Sequence, residues 1–136
     1  MAAIGISVDV PDMAAAAEFF SKGLGFEPLR QESPQTMVLD AGGIELWLLC
    51  KPEASPAVRG TNIRRTYARH WTPVHLDVLV DDLPRALARA VAAGARQEGG
   101  VVHDGTVSFV CCADPFGNGF CLIDAGSGHG PLPAAQ

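Results

Sequence analysis

The segment Ile4–Phe26, IGISVDVPDMAAAAEFFSKGLGF, is matched in pattern by Val74–Arg96, VHLDVLVDDLPRALARAVAAGAR. This duplication constrains the fold more than any other feature of the chain, because each copy reads strand, aspartate, helix, glycine. In the first copy Ile4, Ile6, Val8 and Val10 alternate with Gly5, Ser7 and Asp9, the period of two of a half-buried strand. In the second, Val74, Leu76, Val78 and Val80 alternate with His75, Asp77 and Leu79. Asp12 and Asp82 then stand where a side chain can accept from the unpaired N–H groups that open a helix. Apolar residues follow at helical spacing: Met13, Ala16, Ala17 and Phe20, then Leu83, Leu87, Ala90 and Val91. Pro84 falls in a first turn, where its missing N–H is not needed, and Gly25 and Gly94 are left-handed stops.

Each helix is followed by short runs with strand character and turn signals between them. They cover 26–31, 35–40 and 43–50 in the first half, and 96–102, 106–112 and 119–124 in the second. The prediction is an α+β chain of two βαβββ modules, 1–50 and 73–124, forming one structural domain. Between them 51–72, KPEASPAVRGTNIRRTYARHWT, has prolines, arginines and no sustained periodicity, and is expected to be a crossing linker. A tail, 125–136, is expected to fray.

Composition narrows the function. Hydrophobic residues make up 48% and charged ones 18%, enough apolar matter for a core without disulfides. The formal charge of -5 leaves no basic footprint for phosphate backbones, which argues against nucleic acid as a partner. No run approaches ~18 apolar residues, so no membrane partner is expected, and the start lacks a signal-peptide pattern. A cytoplasmic chain is expected, with Cys50, Cys111, Cys112 and Cys121 as free thiols.

The paired βαβββ pattern, the strand–Asp–helix openings at Val8–Asp12 and Val78–Asp82, the Gly23-Leu24-Gly25-Phe26 run and the Asp114-Pro115-Phe116-Gly117-Asn118 turn together resemble the vicinal oxygen chelate superfamily. That superfamily includes glyoxalase I, extradiol dioxygenases, fosfomycin-resistance enzymes and bleomycin-resistance proteins. The resemblance spans residues 4 to 124. It implies two modules curling into a mixed sheet around a concave cleft. In metal-dependent members one ligand stands on the first and last strand of each module, positions that fall here on Gly5, Glu45, His75 and Cys121. Gly5 offers no side chain. The remaining trio of Glu45, His75 and Cys121 is acceptable to zinc or another divalent metal, but lacks the oxygen-and-imidazole character of the superfamily's reactions. The expectation is therefore no cofactor, with Cys121 as wall material.

With metal chemistry set aside, the cleft is expected to bind through shape and rings. Trp47 shares a strand face with Glu45, and Trp71 lies where the linker re-enters the second module. Burying ~200 Å² of a flat ligand against such rings gives about 5 kcal/mol before the costs of binding. The candidate ligand-binding residues are Ser7, Glu45, Trp47, Arg65, Tyr67, Trp71, His75, Asp77, Phe109 and Cys121, with Arg59, Arg64, Arg65 and Arg69 as a candidate lid. The expected function is metal-independent sequestration of a bulky aromatic natural product or antibiotic, of the self-resistance type, with bleomycin- or enediyne-like ligands. A homodimer is expected, as the bleomycin-resistance branch implies. The alternative is an enzyme: a glyoxalase-like lyase or isomerase using Glu45, His75 and Cys121 around a metal, or a metal-free isomerase with His75 as acid and base.

Overall fold

The computed structural model describes residues 2–71 and 74–126. Two sheets lie on a shared core. The first takes the order β1-β4-β3-β2, from β1 (Ile6–Val10), β2 (Glu27–Ser33), β3 (Thr36–Asp40) and β4 (Glu45–Cys50). The second takes the order β5-β9-β8-β6, from β5 (Leu76–Leu79), β6 (Arg96–Gln97), β8 (Val107–Ala113) and β9 (Gly119–Asp124), with β7 (Val102–Asp104) also pairing β8. β1 runs parallel to β4 and β5 parallel to β9, while the other pairings are antiparallel. Each half is thus a mixed sheet whose first strand returns beside its last, the connection passing through a helix.

Alternation along the strands decides the faces. Leu46 and Leu48 are fully buried, while Glu45, Trp47 and Leu49 on the opposite face are only partly covered. Val78, Val110, Cys112, Phe120 and Leu122 supply the second sheet's share of the same core. The helices α1 (Met13–Glu18) and α2 (Leu83–Ala92) also contribute, through Ala16, Leu83 and Ala90. Asp12 and Asp82 are the expected N-caps, accepting from Ala15 N at 2.9 Å and from Arg85 N at 3.0 Å.

Three details differ from the sequence reading. The first helix does not stay α-helical: Phe19–Gly23 form a π-helical turn, beside which the Ser21 hydroxyl donates to the Ala17 carbonyl at 2.6 Å. This wider turn accompanies the burial of both Phe19 and Phe20, successive residues that now sit in the core together. The first strands begin two residues later than expected, because Ile4 and Val74 lie outside the ladders and are exposed. The run 96–102 splits into β6 and β7 around Gly99, whose φ of 131° suits glycine and interrupts pairing. Most of the expected tail, 127–136, lies outside the described residues. No helix among the described residues is long and apolar enough to cross a membrane.

Candidate functional site

Among the described residues, the first strand of each sheet has a neighbour on one side only. Where the two halves meet there is a cavity of about 360 Å³, lined by Ser7–Asp9 of β1 and by Val74, His75 and Leu76 at the start of β5. Phe19, Phe20, Phe116 and Phe120 form its apolar wall, and the linker closes it with Arg65, Thr66, Tyr67 and His70. Those phenylalanines meet mainly edge to face, with Phe19 5.3 Å from Phe20, 6.1 Å from Phe116 and 6.2 Å from Phe120. Such a wall is both core and lining.

The linker is tied down at several points. Arg65 Nε donates to Asp9 Oδ2 at 2.7 Å and its Nη1 to Ser55 Oγ at 3.1 Å and to the Pro56 carbonyl. Tyr67 donates its hydroxyl to the Lys51 carbonyl at 2.7 Å, and burial pushes the pKa of its phenol up. Arg69 pairs with Glu98, lies over the Trp71 ring at 4.9 Å, and shares that carboxylate with the indole N–H, which donates to Glu98 Oε1 at 2.9 Å. The Arg69 guanidinium, followed by the indole, lowers the Glu98 carboxyl to about 2. Of the four candidate lid arginines, Arg65 and Arg69 are therefore held by acids, while Arg59 and Arg64 are exposed.

Trp71 stands against the outer face of the second sheet. A β-carbon at Gly119 would overlap its six-membered ring, and His75 meets it edge-on at 5.4 Å. Along that face Asp77, Cys121 and Cys111 form a row across β5, β9 and β8, with Phe109 and Ile123 in the next row. His75 Nε2 is 3.0 Å from Asp77 Oδ1, and the Cys111 and Cys121 sulfurs are 3.7 Å apart. Burial, reinforced by Cys111 and Asp77, pushes the Cys121 thiol up to about 12, so it stays protonated as wall material does.

The first sheet carries a separate group. Glu45 accepts two bonds from Arg30 Nη2, at 2.9 and 3.1 Å, and the same guanidinium stands 5.4 Å from the Trp47 ring. Arg30 holds the Glu45 carboxyl below its ordinary value. Four sequence candidates thus line the cavity: Ser7, Arg65, Tyr67 and His75. Trp71, Asp77, Phe109 and Cys121 gather on the second sheet's outer face, while Glu45 and Trp47 gather on the first sheet. Within the chain, then, the trio implied by resemblance is divided: Glu45 is engaged by Arg30, whereas His75 and Cys121 are neighbours and their close acidic companion is Asp77. With Gly5 lacking a donor, the four-strand metal set does not fit these residues.

Sequence reasoning passed over Glu98, Asp9, His70 and Asn118. Asp9 was visible as a polar member of the alternating β1, but nothing local links Glu98 to Trp71, 27 residues away.

These features define a class. The model of the glyoxalase-like domain matches residues 5–123, and the chain belongs to that family, within the vicinal oxygen chelate superfamily. Among solved structures it is similar to a glyoxalase-related enzyme from Fulvimarina pelagi, with a TM-score of 0.71 and 18% identity over 91% of this chain and 88% of that one. It is also similar to the fosfomycin resistance protein FosX from Listeria monocytogenes, with a TM-score of 0.68 and 13% identity over 91% and 93% of the two chains. TioX from Micromonospora sp. ML1 gives a TM-score of 0.63 and 16% identity over 90% and 95%. At these identities the likeness is one of fold. No curated protein matches the sequence significantly.

Proposed function

We propose that this chain captures a flat, largely apolar small molecule in the cavity between its two halves, without a metal to hold it. The observation that carries the reading is the cavity itself. Its wall is aromatic, its rim offers Ser7, Asn118 and His75 as hydrogen-bonding groups, and 360 Å³ lies at the lower end of the range for drug-sized ligands. A cavity of that size takes one ring system, so a bulky natural product would insert an aromatic moiety and leave the remainder against the open sheet faces. Sequestration of an antibiotic for self-resistance is the biological role we assign, and a similar fold serves fosfomycin resistance in FosX. Two copies forming a homodimer would cover the exposed faces carrying Trp47 and Trp71.

The test is tryptophan emission titrated with planar polycyclic compounds and glycopeptide antibiotics, with and without chelator. Capture predicts saturable quenching that chelation leaves unchanged, since Trp71 packs on His75 at the cavity edge. A folded sample that no compound quenches sinks the reading. The hydrogen-bonded His75–Asp77 pair favours a second reading, a metal-free isomerase with His75 as acid and base. Turnover that disappears in His75→Gln while ligand affinity persists would select it.

A further inference from the structure

At its Arg89 end, α2 touches the π-helical turn of the first half. A β-carbon at Gly23 would lie 2.9 Å from that of Ala93, and Arg89 Nε donates to the Lys22 carbonyl at 2.6 Å. Toward the start of α2 the same seam holds a second cavity, of about 320 Å³. Its floor is apolar, made by Leu24, Val78, Val80 and Leu122, of which Val78 and Leu122 belong to the buried core. Its mouth carries four exposed charged residues, Asp81 and Asp82 from the approach to α2 and Arg85 and Arg89 from the helix itself. Positions 82, 85 and 89 fall on one side of the helix because they stand three and four residues apart. The signs are therefore ordered along the axis, acids at the helix start and arginines one and two turns on. Asp82 accepts from Arg85 N through Oδ1 alone, which leaves Oδ2 for another donor. No hydrogen bond or ion pair joins the Arg85 guanidinium to another described residue, and Arg89 spends only Nε and Nη2, on backbone carbonyls.

We infer that this second cavity binds a small zwitterion, an α-amino acid with an aliphatic side chain. Two guanidinium groups against two carboxylates leave no net charge at the mouth, so a bare anion meets the acids and a bare cation meets the arginines, each at a cost. A molecule that carries both signs a few bonds apart satisfies the two pairs together. Arg85, backed by Arg89, takes the carboxylate through its N–H donors, and Asp82 takes the ammonium, with Asp81 adding negative charge. The aliphatic side chain then covers Val78, Val80 and Leu122, which is the use for an apolar floor beneath a charged rim. No bond is made or broken. Leu24 lines both this cavity and the aromatic one, so the two sites are neighbours that share one side chain. The polar groups differ: none of Ser7, His75 and Asn118 borders the second cavity.

The experiment titrates the full, isotope-labelled chain with leucine, following backbone amide shifts by magnetic resonance and affinity by calorimetry. Two probes of the same shape each lack one charge: leucinamide has no carboxylate and isocaproate no ammonium. Leucine should bind saturably, move the amides of 78–82 and 85–89, and bind roughly tenfold or more tighter than either probe. Arg85→Gln should weaken leucine roughly tenfold and bring it level with leucinamide. Asp82→Asn keeps a helix cap of equal rank while removing the charge, and should bring leucine level with isocaproate. Arg96→Gln, on the exposed strand β6, should bind as the wild type does. Circular dichroism of each variant separates lost contacts from lost folding. The proposal is overturned by a folded wild type whose amides do not respond to leucine, by either probe matching leucine, by Arg85→Gln binding with undiminished affinity, or by shifts confined to the lining of the aromatic cavity. Tryptophan quenching by planar compounds, measured with no amino acid present, tests that first cavity by itself, so the two readings fail separately.

Discussion

Trp71 owes its position to an absent side chain. Because Gly119 has no β-carbon, the indole can lie on the strand, and its N–H reaches Glu98. Gly119→Val should displace the ring, shifting tryptophan emission to the red and weakening ligand capture, while Gly100→Val, with open space around it, should change neither. The same cluster sets a pH response. Glu98 titrates at about 2 in the folded chain against an ordinary value of 4.5, so its bonds to Arg69 and Trp71 stabilise the fold above pH 4.5. That contribution is lost as pH falls from 4.5 toward 2, and because the carboxylate is partly solvated it is on the order of 1 kcal/mol. Thermal melts across that window should show a loss in the wild type that is missing in Glu98→Gln. His75, Asp77 and Cys121 were legible as candidates in the sequence, since alternation along β5 and β9 assigns their face, whereas Cys111 was read only as a free thiol. Glu98 was not legible, because a loop residue far along the chain gives no periodic sign of what it will bond.

At the scale of elements, two contacts hold the halves and the linker in register. Arg89 of α2 donates from Nε to the Lys22 carbonyl at 2.6 Å and from Nη2 to the Ser21 carbonyl at 3.5 Å, meeting carbonyls near the end of the π-helical turn with a cation. Arg89→Ala should cost about 1–2 kcal/mol in denaturant unfolding. The turn 114–118 is the second contact. Asp114 accepts from Phe116 N, Asn118 N and Asn118 Nδ2 at 2.8, 2.9 and 2.8 Å, and Gly117 sits at a φ of 98°. A β-carbon at Gly117 would strike the carbonyls of Tyr67 and Ala68, and His70 N donates to the Gly117 carbonyl at 2.9 Å. Gly117→Ala therefore combines backbone strain with a steric clash. It should destabilise the chain by about 1–3 kcal/mol and expose the linker, read as faster proteolysis within 57–66. The sequence marked this turn as a turn. That it is also the dock for the linker depends on a partner some fifty residues earlier.

For the molecule as a whole, β1 and β5 stand at the ends of their sheets among the described residues, and the linker closes over the cavity between the two halves. Arg65 and Asp9 make that closure, and their side chains are 16% and 36% exposed. A double-mutant cycle of Arg65→Ala with Asp9→Ala should give a coupling of about 1 kcal/mol, and Arg65→Ala should speed ligand release in the emission assay.

What the sequence determined by itself was local and periodic. Strand alternation, two aspartate caps, two glycine stops and the repeat of that order dictated paired βαβββ units, because each signal acts within a few residues of its own position. Tertiary structure alone decided which of those faces met. It put Asp77 beside Cys121 and Cys111, engaged Glu45 with Arg30, and set Trp71 on Gly119. Those neighbours come from strand register and from closure of a long linker, and a shift of one residue in register would have turned every one of them to the other side of its sheet.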